Sequence, residues 1–483
     1  MAEPWPAPRP GAAVAAVGPG PAVGRAPKIP AASLLGFIAV NAGIGWLLLN
    51  RPLLATIHAL ATVGLGLYWA FTRRPDRVAY VAAYITGAEV LWRMTEADIY
   101  WEFGKYAVAT IFLVSIARGR RWKGPGALAV YFLLLLPSAL MTATQVPLSR
   151  LRVDLSFNLS GPLALAVTGW FFWRANISHE GLARLLTAYL APVMAMSVVV
   201  ASGVMENPHL AAAMTGSNPA TSGGFAPNQV SALLGLGTFF AFLLILEERL
   251  GKMARLIFFV VLLILATQSA LTFSRGGLYM AAGSAAVVVV FLLRSPRYRL
   301  GGLLVLAVCF FAAKYLIVPR LDELTGGAVV ARFQDTGVTN RDEIARSDIE
   351  IFTRYPVLGV GPGMARAHRA RTTGIGVSAH TEFTRLLAEH GVFGLASLLL
   401  LLVIGARAVL RAPTAQARAF SAGALCWGML FMIINAMRLV APAFVIGLAA
   451  AHLGVSRRPP PRRGPPASPE AVRAQNPSRN STA

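Results

Sequence analysis

Charge is scarce in this chain. Only 13% of its 483 residues are Asp, Glu, Lys or Arg, too few to cover the surface of a water-soluble protein of this length. Acids are scarcer still, 21 against 44 basic residues, which leaves a formal net charge of +23. Cysteine occurs twice, at Cys309 and Cys426, both inside apolar runs; this excludes a disulfide framework and a cysteine zinc site. The first 28 residues are Pro, Ala and Gly with a few basic residues. They lack the short apolar core and cleavage site of a signal peptide. No repeat of solenoid type is visible, and no separate soluble domain.

What the chain has is apolar length. Hydrophobic residues make up 56% of it, gathered in blocks of about 20, the length that crosses a hydrocarbon core as a helix. The blocks do not alternate as barrel strands would, and only a helix or a closed barrel satisfies its backbone in lipid. Blocks near 30–50, 52–71, 78–96, 101–117, 125–143, 159–175, 183–203, 228–247, 254–272, 276–293, 300–318, 384–406, 418–436 and 439–454 predict an all-α polytopic membrane protein of about 12–14 spans, the last short enough to be re-entrant. The membrane domain is expected over 29–455, with a disordered cytoplasmic N-terminus at 1–28 and a disordered, basic, Pro-rich cytoplasmic tail at 456–483.

The excess of positive charge would suggest nucleic acid in a soluble protein. In a membrane protein it marks cytoplasmic loops, so no nucleic-acid partner is expected. With the N-terminus inside, the clusters Arg73-Arg74-Arg77, Arg118-Arg120-Arg121-Lys123, Arg174, Arg249-Lys252-Arg255, Arg294-Arg297-Arg299 and Arg407-Arg411-Arg418 all fall on the cytoplasmic side. Arg150, Arg152 and the arginines of one long outer loop, 319–383, are exceptions.

Ionisable groups in or near spans are costly unless they are paired or face water. Glu89 and Arg93 are spaced i,i+4; Glu96, Asp98, Glu102 and Lys105 follow. They read either as ion pairs locking helices or as the floor of a polar cavity, where Glu96 and Asp98 could in principle hold a divalent cation. Arg275, in Thr272-Phe273-Ser274-Arg275-Gly276-Gly277, emerges on the side that disfavours arginine; an anionic ligand or headgroup snorkelling would account for it. The loop 218–229 is rich in Gly, Pro and Asn. It reads as a phosphate-binding turn or as a plain helix entry with Asn228 near the cap. In the long loop, Tyr355-Pro356-Val357-Leu358-Gly359-Val360-Gly361-Pro362-Gly363 precedes Arg366, His368, Arg369, Arg371 and His380, with Arg341 upstream. No acid occurs between Gly359 and His380. Guanidiniums grip phosphate in a fork at any working pH, and histidine exchanges a proton near neutrality. The alternative is a solvated loop touching headgroups. The glycine spacing follows no strand, so a nucleotide fold is not indicated.

Four elements, in order over about 215–395, resemble the O-antigen ligase and polymerase superfamily. His380-Thr381, followed by nine residues, Gly391, two residues and Gly394, is similar to that family's His-[Asn/Ser/Gln]-x9-Gly-x-x-Gly signature. Tyr355–Gly363 resembles its "hPllGvGpg" element, Ser274–Gly277 its "SRgg" element, and Gly224–Asn228 its "gxfxxPN" element; Arg341 stands at the family's loop arginine. Thr381 replaces the usual amide or serine. Ala220 and Thr221 stand where ligases often carry an arginine, so a further phosphate ligand would come from Arg366, Arg369 or Arg93.

The resemblance implies a GT-C-like, metal-independent, inverting glycosyltransferase without a cofactor, in the bacterial inner membrane with its site on the outer face. Its partners would be a glycan donor on undecaprenyl pyrophosphate and an acceptor that is another glycan, lipid A-core or a protein. His380 would be the base. Arg275 and Arg341 would bind pyrophosphate, with Arg366, His368, Arg369, Arg371, Asn228 and Arg93 as further binding candidates and His390 as packing. Two other functions fit the same residues: a flippase for the lipid-linked glycan, for which the expected two-fold repeats are not visible, or a non-catalytic component of a polysaccharide assembly complex.

Overall fold

A computed structural model describes residues 30–119, 126–173, 175–206, 217, 219–334, 341–374 and 376–453. The terminal segments expected to be disordered lie outside the described residues, as do Arg120, Arg121, Lys123, Arg174 and part of the 204–227 segment. The helices are α1 Ala31–Leu48, α2 Pro52–Phe71, α3 Pro75–Met94, α4 Phe103–Arg118, α5 Ala127–Leu134, α6 Ala139–Ala143, α7 Leu148–Phe172, α8 His179–Glu206, α9 Pro227–Leu246, α10 Lys252–Leu271, α11 Gly276–Leu293 and α12 Pro296–Ala312. After them come α13 Val318–Thr325, α14 Ala328–Gln334, α15 Arg341–Arg354, α16 Met364–Thr373, α17 Glu382–Arg411, α18 Ala415–Ile434 and α19 Val440–Ala449.

The chain is therefore an all-α polytopic membrane protein. Among the described residues, ten helices are long and apolar enough to cross a bilayer. The remaining expected spans exist as helices but miss that measure for separate reasons. Helix α3 carries Asp76, Arg77, Glu89 and Arg93, and α4 has 16 residues. The block at 125–143 is divided into α5 and α6 around Pro137 and Ser138, because proline cannot continue the amide ladder. Helix α19 has 10 residues, after which His452–Leu453 pairs in parallel with Asn176–Ile177. Several helices open on proline at the first position, as in α2, α3, α9 and α12, where the missing N–H has no intrahelical partner to lose.

Short turns join the long helices, which alternate in direction. The turns 95–102, 272–275 and 435–439 and the 318–381 segment thus gather at one end of the bundle, and the turns 72–74, 247–251 and 412–414 at the other. The core between them is apolar and aromatic. Phe112 stacks on Phe171 with centroids 4.1 Å apart, and Phe172 meets Phe444 edge-on at 5.5 Å. Helix α12, by contrast, leaves Leu300, Leu304 and Phe310 exposed, as a lipid-facing span does. The long polar stretch 319–383 is mostly helical: α13 to α16 form a cap over the end where the turns gather.

Candidate active site

The site is organised by a break in α17. Gly391, inside that helix, has φ 59° and ψ −138°. A break orphans the last carbonyls of one half and the first amides of the next, and in a buried setting these need partners. The Tyr355–Gly363 loop supplies them. Val392 N–H donates to the Pro356 carbonyl at 2.7 Å, while Val360 and Gly361 N–H donate to the Ala388 and Glu389 carbonyls, each at 3.0 Å. A Cβ at Gly391 would stand 2.5 Å from the Pro356 and Val357 oxygens, and one at Gly359 would stand 2.4 Å from the Glu389 carbonyl carbon. The glycines in both motifs thus permit backbone-to-backbone approach. On the far side of the break His390 is fully buried, its Nδ1 in short contact with Ser138 Oγ and 3.1 Å from the Leu135 carbonyl. The breaks in α17 and between α5 and α6 therefore meet through this packing histidine.

The N-terminal half of α17 is aimed so that Thr381 precedes its first turn and His380 lies at its lip. Three guanidiniums hold the segment leading into it. Arg366 Nε donates to the Gly376 carbonyl at 2.7 Å, Arg369 Nη2 to Val377 at 2.7 Å, and Arg438 Nη2 to Ala379 at 3.2 Å. Arg369, expected among residues contacting substrate, is fully buried in an ion pair with Asp348, also fully buried; Asp348 Oδ2 in turn accepts from Thr384 at 2.8 Å. In this position Arg369 ties α15, α16 and α17 together and faces no solvent. Arg371 and Arg366 are exposed, and His368 is half-buried, edge-on to Tyr355 at 5.3 Å.

His380 itself is half-buried. Burial pushes its pKa below the usual imidazole range, and the positive charges of Arg341, Arg438 and Arg369 push it the same way. The ring is therefore neutral at neutral pH, the form that can accept a proton.

A second group of arginines meets at the α10–α11 turn. Phe273 there has φ 54°, unusual for a residue with a side chain, and its carbonyl accepts from Arg332 Nε at 3.3 Å. Arg341 at the start of α15 is half-buried, and burial together with the like charges of Arg275 and Arg332 lowers its pKa. Three guanidiniums drawn together in this way are relieved by an anion placed among them. The same turn is tied to the rest of the bundle. Asn228 Oδ1 accepts from Ser274 Oγ at 3.0 Å, so Asn228 braces the turn instead of capping a helix. Its neighbour Gln229 accepts from Arg93 at 3.0 Å. Arg93 is nearly buried; it also bonds Glu89 at 2.7 Å and the Trp101 carbonyl at 2.7 Å, and lies 4.2 Å over the Trp101 ring.

Among the described residues no three His, Cys, Asp or Glu side chains converge as metal ligands; Glu96 and Asp98 are both exposed in the turn after α3. Sequence reading passed over Arg332 and Arg438. The signal for Arg438 was present: an arginine in the turn between the last two spans, on the end of the bundle that the basic clusters avoid.

An all-α polytopic membrane protein with a histidine and two sets of guanidiniums converging at one end of its bundle is the class that fold and site define. Residues 260–399 match the family model described as O-Antigen ligase, and over that stretch the chain is similar to that family. The match spans α11 to α15, the Tyr355–Gly363 loop and His380. No curated protein matches the chain. The family match supports a glycosyltransferase-type role in surface polysaccharide assembly.

Proposed function

We propose that the protein transfers a saccharide from an undecaprenyl-pyrophosphate carrier to an acceptor hydroxyl. What supports this is one juxtaposition: Arg341 acts electrostatically on His380 and likewise feels Arg275 and Arg332, and Arg332 bonds the turn of Arg275 at Phe273, so a proton acceptor and a group of guanidiniums share one end of the bundle. Arg275, Arg332 and Arg341 hold the donor diphosphate. The acceptor hydroxyl attacks the anomeric carbon and gives its proton to the His380 imidazole. A glycosidic C–O bond forms as the C–O bond to the diphosphate breaks. The lipid diphosphate departs with the electron pair, its charge met by the guanidiniums. One displacement of this kind inverts the anomeric centre. Arg369 positions His380, and Arg93 with Asn228 braces the Ser274-Arg275 turn. By the positive-inside rule we assign the basic ends of the helices and both termini to the cytoplasmic side of the inner membrane and the site to its outer face.

The test is His380→Ala in cells lacking the native gene, with the surface glycan inspected, and the purified variant assayed with lipid-linked donor. Transfer should fall by about a hundred- to ten-thousand-fold, the usual contribution of a general base, with the lipid-linked glycan accumulating. Transfer at the native rate ends the proposal. In reconstituted vesicles, translocation of the lipid-linked glycan without bond formation would make the protein a flippase.

A further inference from the structure

Two sets of guanidiniums lie near His380: Arg332 bonds the turn that carries Arg275, and Arg438 bonds the carbonyl of Ala379, the residue before His380, at 3.2 Å. Arg341 feels Arg275 and Arg332. Arg438 feels Arg385, Glu382, Glu389 and Arg366. Both Arg341 and Arg438 act on His380. In a direct displacement the leaving group and the incoming hydroxyl occupy opposite sides of the reacting carbon, with the base on the side of the hydroxyl. If the Arg275 set holds the leaving diphosphate, Arg438, bonded to the residue next to the base, stands with the base on the side from which the acceptor enters.

The second set is held in place by considerable structure. Arg438 sits in the turn between α18 and α19, and the amides flanking it are pinned by two buried carboxylates. Met437 N–H donates to Glu382 Oε2 at 3.0 Å, and Val440 N–H to Glu89 Oε2 at 2.7 Å. Each carboxylate is also bonded to an arginine, Glu382 to Arg385 at 2.8 Å and Glu89 to Arg93 at 2.7 Å. Glu389 bonds Arg385 at 2.6 Å. The acids near Arg438 are thus already engaged by other donors. The Arg438 guanidinium lies over the Phe157 ring, 5.5 Å from its centroid, which fixes its plane. The Ala379 carbonyl takes one of its five N–H donors. Arg438 is partly exposed and Arg366 exposed.

We infer that Arg438, assisted by Arg366, forms a subsite for an anionic group on the acceptor, which is therefore a glycan carrying a carboxylate or a phosphate close to its attacking hydroxyl. This rests on the assignment of His380 as base and the Arg275 set as the donor site. A planar, fixed, charged fork is what bidentate recognition of either anion requires.

The acceptor that accumulates in His380→Ala cells serves as the probe. Its structure is determined, and it is then used with the purified wild-type protein and the native lipid-linked donor. A carboxylate or phosphate on the sugar that receives the new linkage, or on the one next to it, is expected; a neutral acceptor overturns the inference. Arg438→Gln should raise the acceptor KM at least tenfold and leave the donor KM within twofold, and Arg438→Lys should recover only part of the loss, because an ammonium keeps the charge but not the fork. A rise in donor KM alone, or an unchanged acceptor KM, overturns the inference. Independently of any variant, wild-type protein given carboxyl-reduced acceptor should reproduce the loss if the group is a carboxylate, and phosphatase-treated acceptor should do so if it is a phosphate. If neither treatment has an effect, the subsite does not exist. Full transfer by His380→Ala would instead remove the base assignment on which the inference stands.

Discussion

Val392 gives its N–H to the carbonyl of Pro356 at 2.7 Å, and through that bond the loop motif becomes the splint of a broken helix. The break depends on Gly391, whose φ of 59° suits a residue without Cβ and whose Cα faces two carbonyl oxygens. Gly391→Ala should cost on the order of 3 kcal/mol, combining backbone strain with overpacking. Thermal unfolding of the purified protein should show a midpoint lowered by several degrees, with glycan transfer lost in parallel. An alanine variant as stable and active as the native protein would mean that the loop does not set the direction of the N-terminal half-helix.

The buried pair of Arg369 and Asp348 makes a sharper claim. Removing one partner of a fully buried ion pair strands the other charge, at a cost of about 3–5 kcal/mol. Asp348→Ala should therefore destabilise the protein by that order. Asp348→Leu combined with Arg369→Met should cost clearly less than the sum of the two single changes, because no charge is left unmatched. Additive losses in denaturation midpoints across the double-mutant cycle would show that the two side chains are not coupled.

How far the sequence revealed this arrangement depended on distance along the chain. The spans were legible because apolar length is a local property, and His380, Arg341 and Arg275 stand out as candidates because they sit in ordered motifs. Arg369 reads in sequence as a phosphate ligand of a basic loop; its counterion lies 21 residues upstream, and no local pattern announces that Asp348 will meet it. Arg332 and Arg438 bond backbone carbonyls 59 residues away in each case. The turn between α18 and α19 returns to His380 only because the bundle brings their ends together. The glycines of Tyr355–Gly363 looked like a weak phosphate motif, and their role in the α17 break appears only once two backbones are seen side by side.

The Arg275, Arg332 and Arg341 set should govern the donor. A charge-assisted hydrogen bond is worth roughly 2 kcal/mol, or about 30-fold in binding. Arg275→Gln and Arg341→Gln should each raise the donor KM by about that factor and leave the acceptor KM nearly unchanged. Arg332→Gln should do the same with an added loss of stability, since its Nε also holds the Phe273 carbonyl. Steady-state kinetics at varied donor concentration checks all three, and a donor KM unaltered in every variant would move the diphosphate elsewhere.

The pH profile tests the base and its neighbours together. A proton acceptor works only when deprotonated, so kcat/KM should fall as pH drops through the His380 pKa and level off above it. Burial and the charges of Arg341, Arg438 and Arg369 all disfavour the imidazolium, so the acid limb should lie below the ordinary histidine value of 6.5. Arg341→Gln removes the strongest of those charges. It lets the pKa rise, and the acid limb should move to higher pH. At pH 8 the ring is neutral in both proteins, so whatever loss persists there reports donor binding alone. A limb that stays in place, or moves to lower pH, would show that Arg341 does not act on the titrating group.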